Sequence, residues 1–334
     1  MRVSRAINAS RDAAWGMKKN NFSVWGGALL GAGLVLWAAG STPAWAAGTG
    51  VATLPWWAWP LMLFVICFVL GTIAVPAGVG GGVLFVPIVS GFFPFHLDFV
   101  RGAGLLVALA SAVAAAPGLL RAGLSDLRLA LPLALLASAS SIVGALVGLA
   151  LPAAVVQTAL GITILGIVAL MGLARKSEFP QVGQSDTLAS ALRIHGVFYD
   201  AVHRRDIVWQ VHRTPLGLVL FVGIGMLAGL FGLGAGWANV PALNLVMGVP
   251  LRLSAGSSGF ILSIVDSSAV WVYINKGAVL AIIAAPSVIG MMLGAFIGAR
   301  LLKIIKAATI RRLVIVMLLA AGLRALLKGL GLWT

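Results

Sequence analysis

The sequence predicts an all-α polytopic membrane protein made of two repeats, and three observations carry that expectation. Of 334 residues, 61% are hydrophobic and only 9% charged, and the mean hydropathy is +1.08. A soluble fold would place far more charge on its surface. Apolar runs fall near 61–94, 100–120, 129–151, 154–173, 215–249, 254–274, 278–299 and 313–327. Each approaches or exceeds the roughly 20 residues that a helix needs to cross a bilayer. The hydrophobic body is also written twice, at an offset of 154 residues: Gly78, Gly80, Gly82 and Pro87 recur as Gly232, Gly234, Gly236 and Pro241. The same offset pairs Gly102 with Gly256, Gly123 with Gly277, Pro132 with Pro286 and Gly144 with Gly298. Gly and Pro punctuate backbones, so a register held by them is a register of helix breaks.

Residues 1–47 form a separate module. Arg2, Arg5, Arg11, Lys18 and Lys19 make a basic start, Val24–Ala39 an apolar core, and 40–47 a run of small residues in an A-x-A pattern ending at Ala46. This is the layout of a secretory signal peptide; an uncleaved anchor helix is the other reading. Both place residue 50 outside the cell, where Trp56, Trp57 and Trp59 fit an aromatic belt.

The first repeat, 60–174, opens with a broken segment, Leu61–Phe93. As one helix it would measure roughly 50 Å, too long for a hydrocarbon core of about 30 Å. Its middle, 75–82, holds a proline and four glycines, and cannot continue a helix without cost. Arms of about 15 and 11 residues suit a re-entrant hairpin, with three ordinary spans following. The connector 175–214 carries Arg175, Lys176, Arg193, Arg204, Arg205 and Arg213. Hairpins put it in the cytoplasm, as the positive-inside rule asks. An odd number of crossings per repeat then inverts the second repeat, 215–330, against the first. Arg101, Lys276, Arg324 and Lys328 fall on the wrong side of this count. Within the connector, Leu188–Val202 has the pattern of a short amphipathic surface helix.

The net charge of +15 lies in clusters beside apolar runs, so orientation in a membrane explains it and nucleic acid binding is not expected. The single Cys67 rules out a disulfide framework and leaves no CxxC motif. No cofactor or metal is expected, because His195, His203 and His212 lack companions at ligand spacing.

The candidate site centres on the two breaks: Gly78, Gly80, Gly81 and Gly82 in one, Gly232, Gly234 and Gly236 in the other. After each, a short helix begins, and its unpaired N–H groups and positive dipole end suit an anion. Asn239, Ser257 and Ser258 could complete the coordination of such an anion, and Arg101 could attract or bind it. Asp266, the acid well inside an apolar run, is a functional candidate by position and could couple a proton to substrate movement. Small-residue packing, serine back-bonding and a structural carboxylate are the competing explanations.

The two Gly-rich breaks, each followed by Val-Pro (Val86-Pro87, Val240-Pro241) and later by a stretch of small residues, resemble the sulfite exporter TauE/SafE family over about 61–327. The resemblance implies a secondary transporter of the bacterial inner membrane. It would carry small anions such as sulfite or organosulfonates by alternating access, one repeat rocking against the other. Its partners would be that anion and membrane lipid, with a homodimer left open. Ser257 or Ser258 as an intramembrane nucleophile is disfavoured, since no His lies within a span to act as base. A non-transporting assembly or sensor subunit using the connector is the remaining alternative.

Overall fold

Apolar stretches punctuated by glycine become helices that run until a left-handed residue or an unpaired end stops them. The computed structural model describes residues 57–77, 80–121, 125–173, 180, 185–200, 205–301 and 307–332, all within the unit Leu54–Thr334. The N-terminal module 1–47, Trp56, Gly78 and part of the connector lie outside the described residues.

In order, the helices are α1 (Ala58–Ala77), α2 (Gly81–Phe92), α3 (Leu97–Arg121), α4 (Leu127–Ala150) and α5 (Ala153–Leu173). After the connector come α7 (Thr214–Phe231), α8 (Gly236–Pro241) with a π turn (Ala242–Val246), α9 (Leu251–Asn275), α10 (Ala281–Leu301) and α11 (Ala307–Gly329). Among the described residues, 6 helices are long and apolar enough to cross a membrane: α3, α4, α5, α7, α9 and α10. The protein is therefore a multi-pass helical membrane protein.

Both broken segments double back. Trp59, at the start of α1, meets Phe93 and Phe95, beyond the end of α2, at ring distances of 6.0 and 5.8 Å. In the second segment the His212 N–H, before α7, donates to the Met247 carbonyl, after the π turn, at 3.2 Å. The leading arm of the first segment is longer than the sequence suggested, 20 residues in α1, and that of the second, α7, has 18. Pro215 opens α7, where a missing N–H costs nothing. Gly232, at φ +69°, closes it with a left-handed cap.

Glycine ridges set the packing. Gly71 faces the Met291 carbonyl and Gly298 the Thr72 carbonyl, with Gly290 and Gly294 against Phe64 and Phe68. These contacts advance together in sequence, so α1 and α10 run parallel. Gly225 and Gly229 of α7 meet Ala137 and Ser141 of α4, and Gly148 meets Leu230, so that pair is parallel as well. Small residues here let helix backbones approach closely, which is what holds helices together in lipid. By contrast, α3 and α9 cross antiparallel: Arg101 lies 5.8 Å over the Tyr273 ring, while Ala108 and Asp266 both face Gly234. The Asp126 N–H donates to Ser257 Oγ at 3.2 Å, and Ser138 and Ser268 share a 2.5 Å hydrogen bond, so α4 and α9 run parallel. One end of the bundle thus gathers the starts of α1 and α3 with the ends of α4, α7 and α9. The other gathers the starts of α4, α7 and α9 beside the connector.

The connector corrects one expectation. Helix α6 covers only Thr187–Ala191, and Leu188–Val202 then passes into strand β1 (His195–Asp200), paired antiparallel with β2 (Arg205–Gln210). The β-branched and aromatic runs Val197–Tyr199 and Ile207–Trp209 favour a pleated ribbon over a helix. Ile194, Trp209 and Val211 of this region bury against Phe221, Met247 and Val249. Asp186 ties the ribbon down, accepting from the Ala189 N–H at 2.9 Å and from the Thr214 N–H and hydroxyl at 2.7 and 2.9 Å.

Candidate functional site

The site is built where the two breaks touch. Gly80 is in extended backbone and caps α2, whose first residues Gly81 and Gly82 are buried. A methyl on Gly236 would lie 3.3 Å from both Cα and N of Gly80. A methyl on Gly82 would come within 2.6 Å of the Leu233 carbonyl and 2.9 Å of the Gly104 carbonyl. Only glycine permits this backbone-to-backbone contact. Gly234, at φ +73°, sits in the left-handed region, and a methyl there would stand 3.0 Å from Asp266 Oδ2. Residues of both repeats thereby enclose one spot at mid-depth of α3 and α9.

Polar groups without protein partners cluster around it. Asn239, one turn into α8, is fully buried, and among the described residues neither its amide oxygen nor its nitrogen has a hydrogen-bond partner. Asp266 is fully buried too; the Ala235 amide is directed at it but in too poor a geometry to count as a hydrogen bond. Buried polar groups are almost always satisfied, so two unsatisfied side chains beside two helix breaks single this place out as the candidate site. On the opposite side the Gly81 N–H meets Ser111 Oγ at 3.5 Å. Sequence reasoning missed Ser111: its counterpart at the repeat offset is Val265, so no duplicated signal marked it.

The remaining candidates are placed elsewhere. Arg101 is 1% exposed and already engaged: it donates to the Gly148 carbonyl at 3.0 and 3.1 Å and to the Leu230 carbonyl at 2.9 Å, and is paired with Asp98. It closes the C-terminal ends of α4 and α7, where carbonyls lack helical donors and the dipole favours a cation. Ser257 lies nine residues from Asp266, roughly 13 Å along α9, and accepts from the Asp126 amide. Ser258 is buried one turn from Leu262, the residue that faces Gly80 and Gly236. The amide nitrogen of Asn244 donates to the Val249 carbonyl at 2.9 Å, a local bond that shapes the turn after the π segment. Among the described residues no group of three His, Cys, Asp or Glu side chains could hold a metal.

A family model described as "Sulfite exporter TauE/SafE" matches residues 63–325. A relative named "Probable membrane transporter protein ORF9", from Sinorhizobium sp, is 26% identical over 268 residues, which cover 79% of this chain and 91% of the relative. No solved structure matches the chain.

Proposed function

The chain belongs to the sulfite exporter TauE/SafE family, a family of inner-membrane transporters and not of enzymes, and from that premise we propose that it exports small anions such as sulfite or organosulfonates through a site between its two helix breaks. The observation that carries this reading is the meeting of Gly80 with Gly236 beside two buried side chains without partners, Asn239 and Asp266. In it, the N–H groups that open α2 and the Asn239 amide donate to the anion's oxygens, the Gly81 N–H exchanging its 3.5 Å contact with Ser111 Oγ for the anion. Asp266 tolerates an anion beside it only when protonated, so binding and protonation are linked. Export of a monovalent anion also gains about 2.3 kcal/mol per 100 mV from an inside-negative potential.

The two repeats are inverted in this proposal. Supporting it, α3 and its repeat counterpart α9 cross antiparallel, and both broken segments return to the end where they began. The connector end carries Arg128, Arg213, Arg252 and Arg312 and is the cytoplasmic one. The helices that move together are then drawn from both repeats, because α1 packs on α10 and α7 on α4.

Flux into proteoliposomes tests the reading, with sulfite, sulfate, thiosulfate, sulfoacetate and simple carboxylates offered with and without a pH gradient. Saturable movement of one anion class is expected, stimulated by the gradient in the wild type and insensitive to it in Asp266→Asn. Unchanged pH dependence in that variant would return Asp266 to a structural role. No flux from folded protein would favour an assembly or sensor subunit. For that second reading the specific support is the exposed face of the β ribbon, where Val197 and Val208 stand opposite each other at 61% and 79% exposure.

A further inference from the structure

Four cations sit at the end of the bundle where α3 begins and α9 ends, the end that the charge count leaves short of explanation. Three of them are held by the protein. Arg101 is clamped by carbonyls and Asp98. Lys328 donates to the Ser90 carbonyl at 3.2 Å, and Arg324 lies 4.1 Å over the Phe92 ring. Lys276 differs: it is exposed and its ammonium makes no hydrogen bond or ion pair among the described residues. It lines a cavity of about 540 Å³ together with His96, Asp98, Phe99 and Leu149.

We infer that this cavity is the outer antechamber through which a small oxyanion passes between the paired helix breaks and the outside, and that Lys276 holds it there. The inference rests on the transport reading above and adds the outer chamber of the route and the residue that holds the anion in it. Asp98 is the carboxylate in the wall, and its charge is balanced by Arg101, with His96 Nδ1 3.5 Å from its other oxygen. The charge left over is that of Lys276, and a cleft concentrates such a field. Inward from the cavity the contacts are continuous. Gly232 packs on the Arg101 backbone and Gly104 on the Gly232 carbonyl, then Gly82 on the Gly104 carbonyl and Gly234 on Asp266. Each is a contact so close that an added methyl would stand within about 3 Å of its neighbour, so the way between antechamber and site is closed here and passage requires these helices to part. A sulfonate, carboxylate or sulfur oxyanion fits; a nucleotide or a peptide does not match a single lysine.

The test uses the full chain in a Cys67→Ala background with His96→Cys as reporter on the exposed rim of the cavity, reacted with a membrane-impermeant maleimide. Sulfate and methanesulfonate serve as probes at matched ionic strength, because sulfite would itself consume the reagent. Saturable slowing of labelling is expected, and Lys276→Glu should weaken it roughly three- to tenfold while Lys276→Arg preserves it. Equal labelling with and without the anions, or protection that survives Lys276→Glu, overturns the inference. The labelling readout does not depend on flux. A wild type that moves no anion would therefore sink the transport reading and still leave protection to decide the antechamber.

Discussion

At the scale of single residues, the two breaks are decided by glycines that do different work. Gly234 combines a left-handed backbone with contact to Asp266, so any side chain there is strained and displaces the carboxylate; the left-handed conformation alone costs about 1–2 kcal/mol. Gly80 has ordinary dihedrals, φ −62° and ψ 144°, and a methyl there would stand 3.7 Å from Gly236 Cα and 3.8 Å from Leu262, so it is a longer side chain that runs out of space. Gly234→Leu and Gly80→Leu are expected to lower flux to background, at least about tenfold, while membrane insertion and the helical circular dichroism persist. Normal flux in both variants would remove the breaks from the site. Arg101 illustrates the converse. Its position at the start of a span suggested anion binding, yet its donors meet the carbonyls of Gly148 and Leu230, a pairing between residues 47 and 129 positions away that no local pattern announces.

At the scale of elements, the connector behaves as a capped and stapled unit. Partial burial raises the Asp186 carboxyl, but the Ala189 N–H and the hydroxyl and N–H of Thr214 outweigh it and hold it below the ordinary aspartate value. A carboxylate depressed in the folded state contributes stability above its unfolded pKa of about 3.9 and loses it as pH falls through the folded value. The ribbon should therefore stay docked at any pH above about 4, and acid inhibition of flux at higher pH must originate elsewhere. Asp186→Ala removes an N-cap, worth about 0.5–2 kcal/mol, together with the staple to α7. Limited proteolysis within 185–212 should become several-fold faster in that variant at neutral pH, with wild type following only in strong acid. Proteolysis unchanged by the substitution would assign the docking to Ile194, Trp209 and Val211 alone.

At the scale of the whole molecule, orientation is the property that ties charge to architecture. The connector end and the antechamber end lie at opposite ends of α4 and α9. Val208→Cys should be labelled by an impermeant thiol reagent only in inside-out vesicles, and Lys276→Cys only in right-side-out ones. Labelling of both from one side would break the proposed inversion. The Arg101, Arg324 and Lys328 cations that count against the positive-inside rule are accounted for by protein contacts at helix ends, where carbonyls and an aromatic face stand in for counter-ions.

What the sequence by itself determined is the membrane class, the position of the long helices among the described residues and the location of both breaks. These are written in residue type: apolar length sets a span, and Gly or Pro sets an interruption, without regard to what lies across the bilayer. The ribbon escaped because Leu188–Val202 is short, and a short run with mixed apolar spacing fits either period. Only the tertiary structure decided that Gly80 meets Gly236, that Asn239 and Asp266 are left without partners, that Arg101 is engaged, and that Lys276 is not. Those facts depend on α1 packing against α10 and α7 against α4, contacts between residues more than 80 positions apart. The glycines that allow such contacts are visible in the chain, but the partner each one faces is fixed by the close packing of all the helices together.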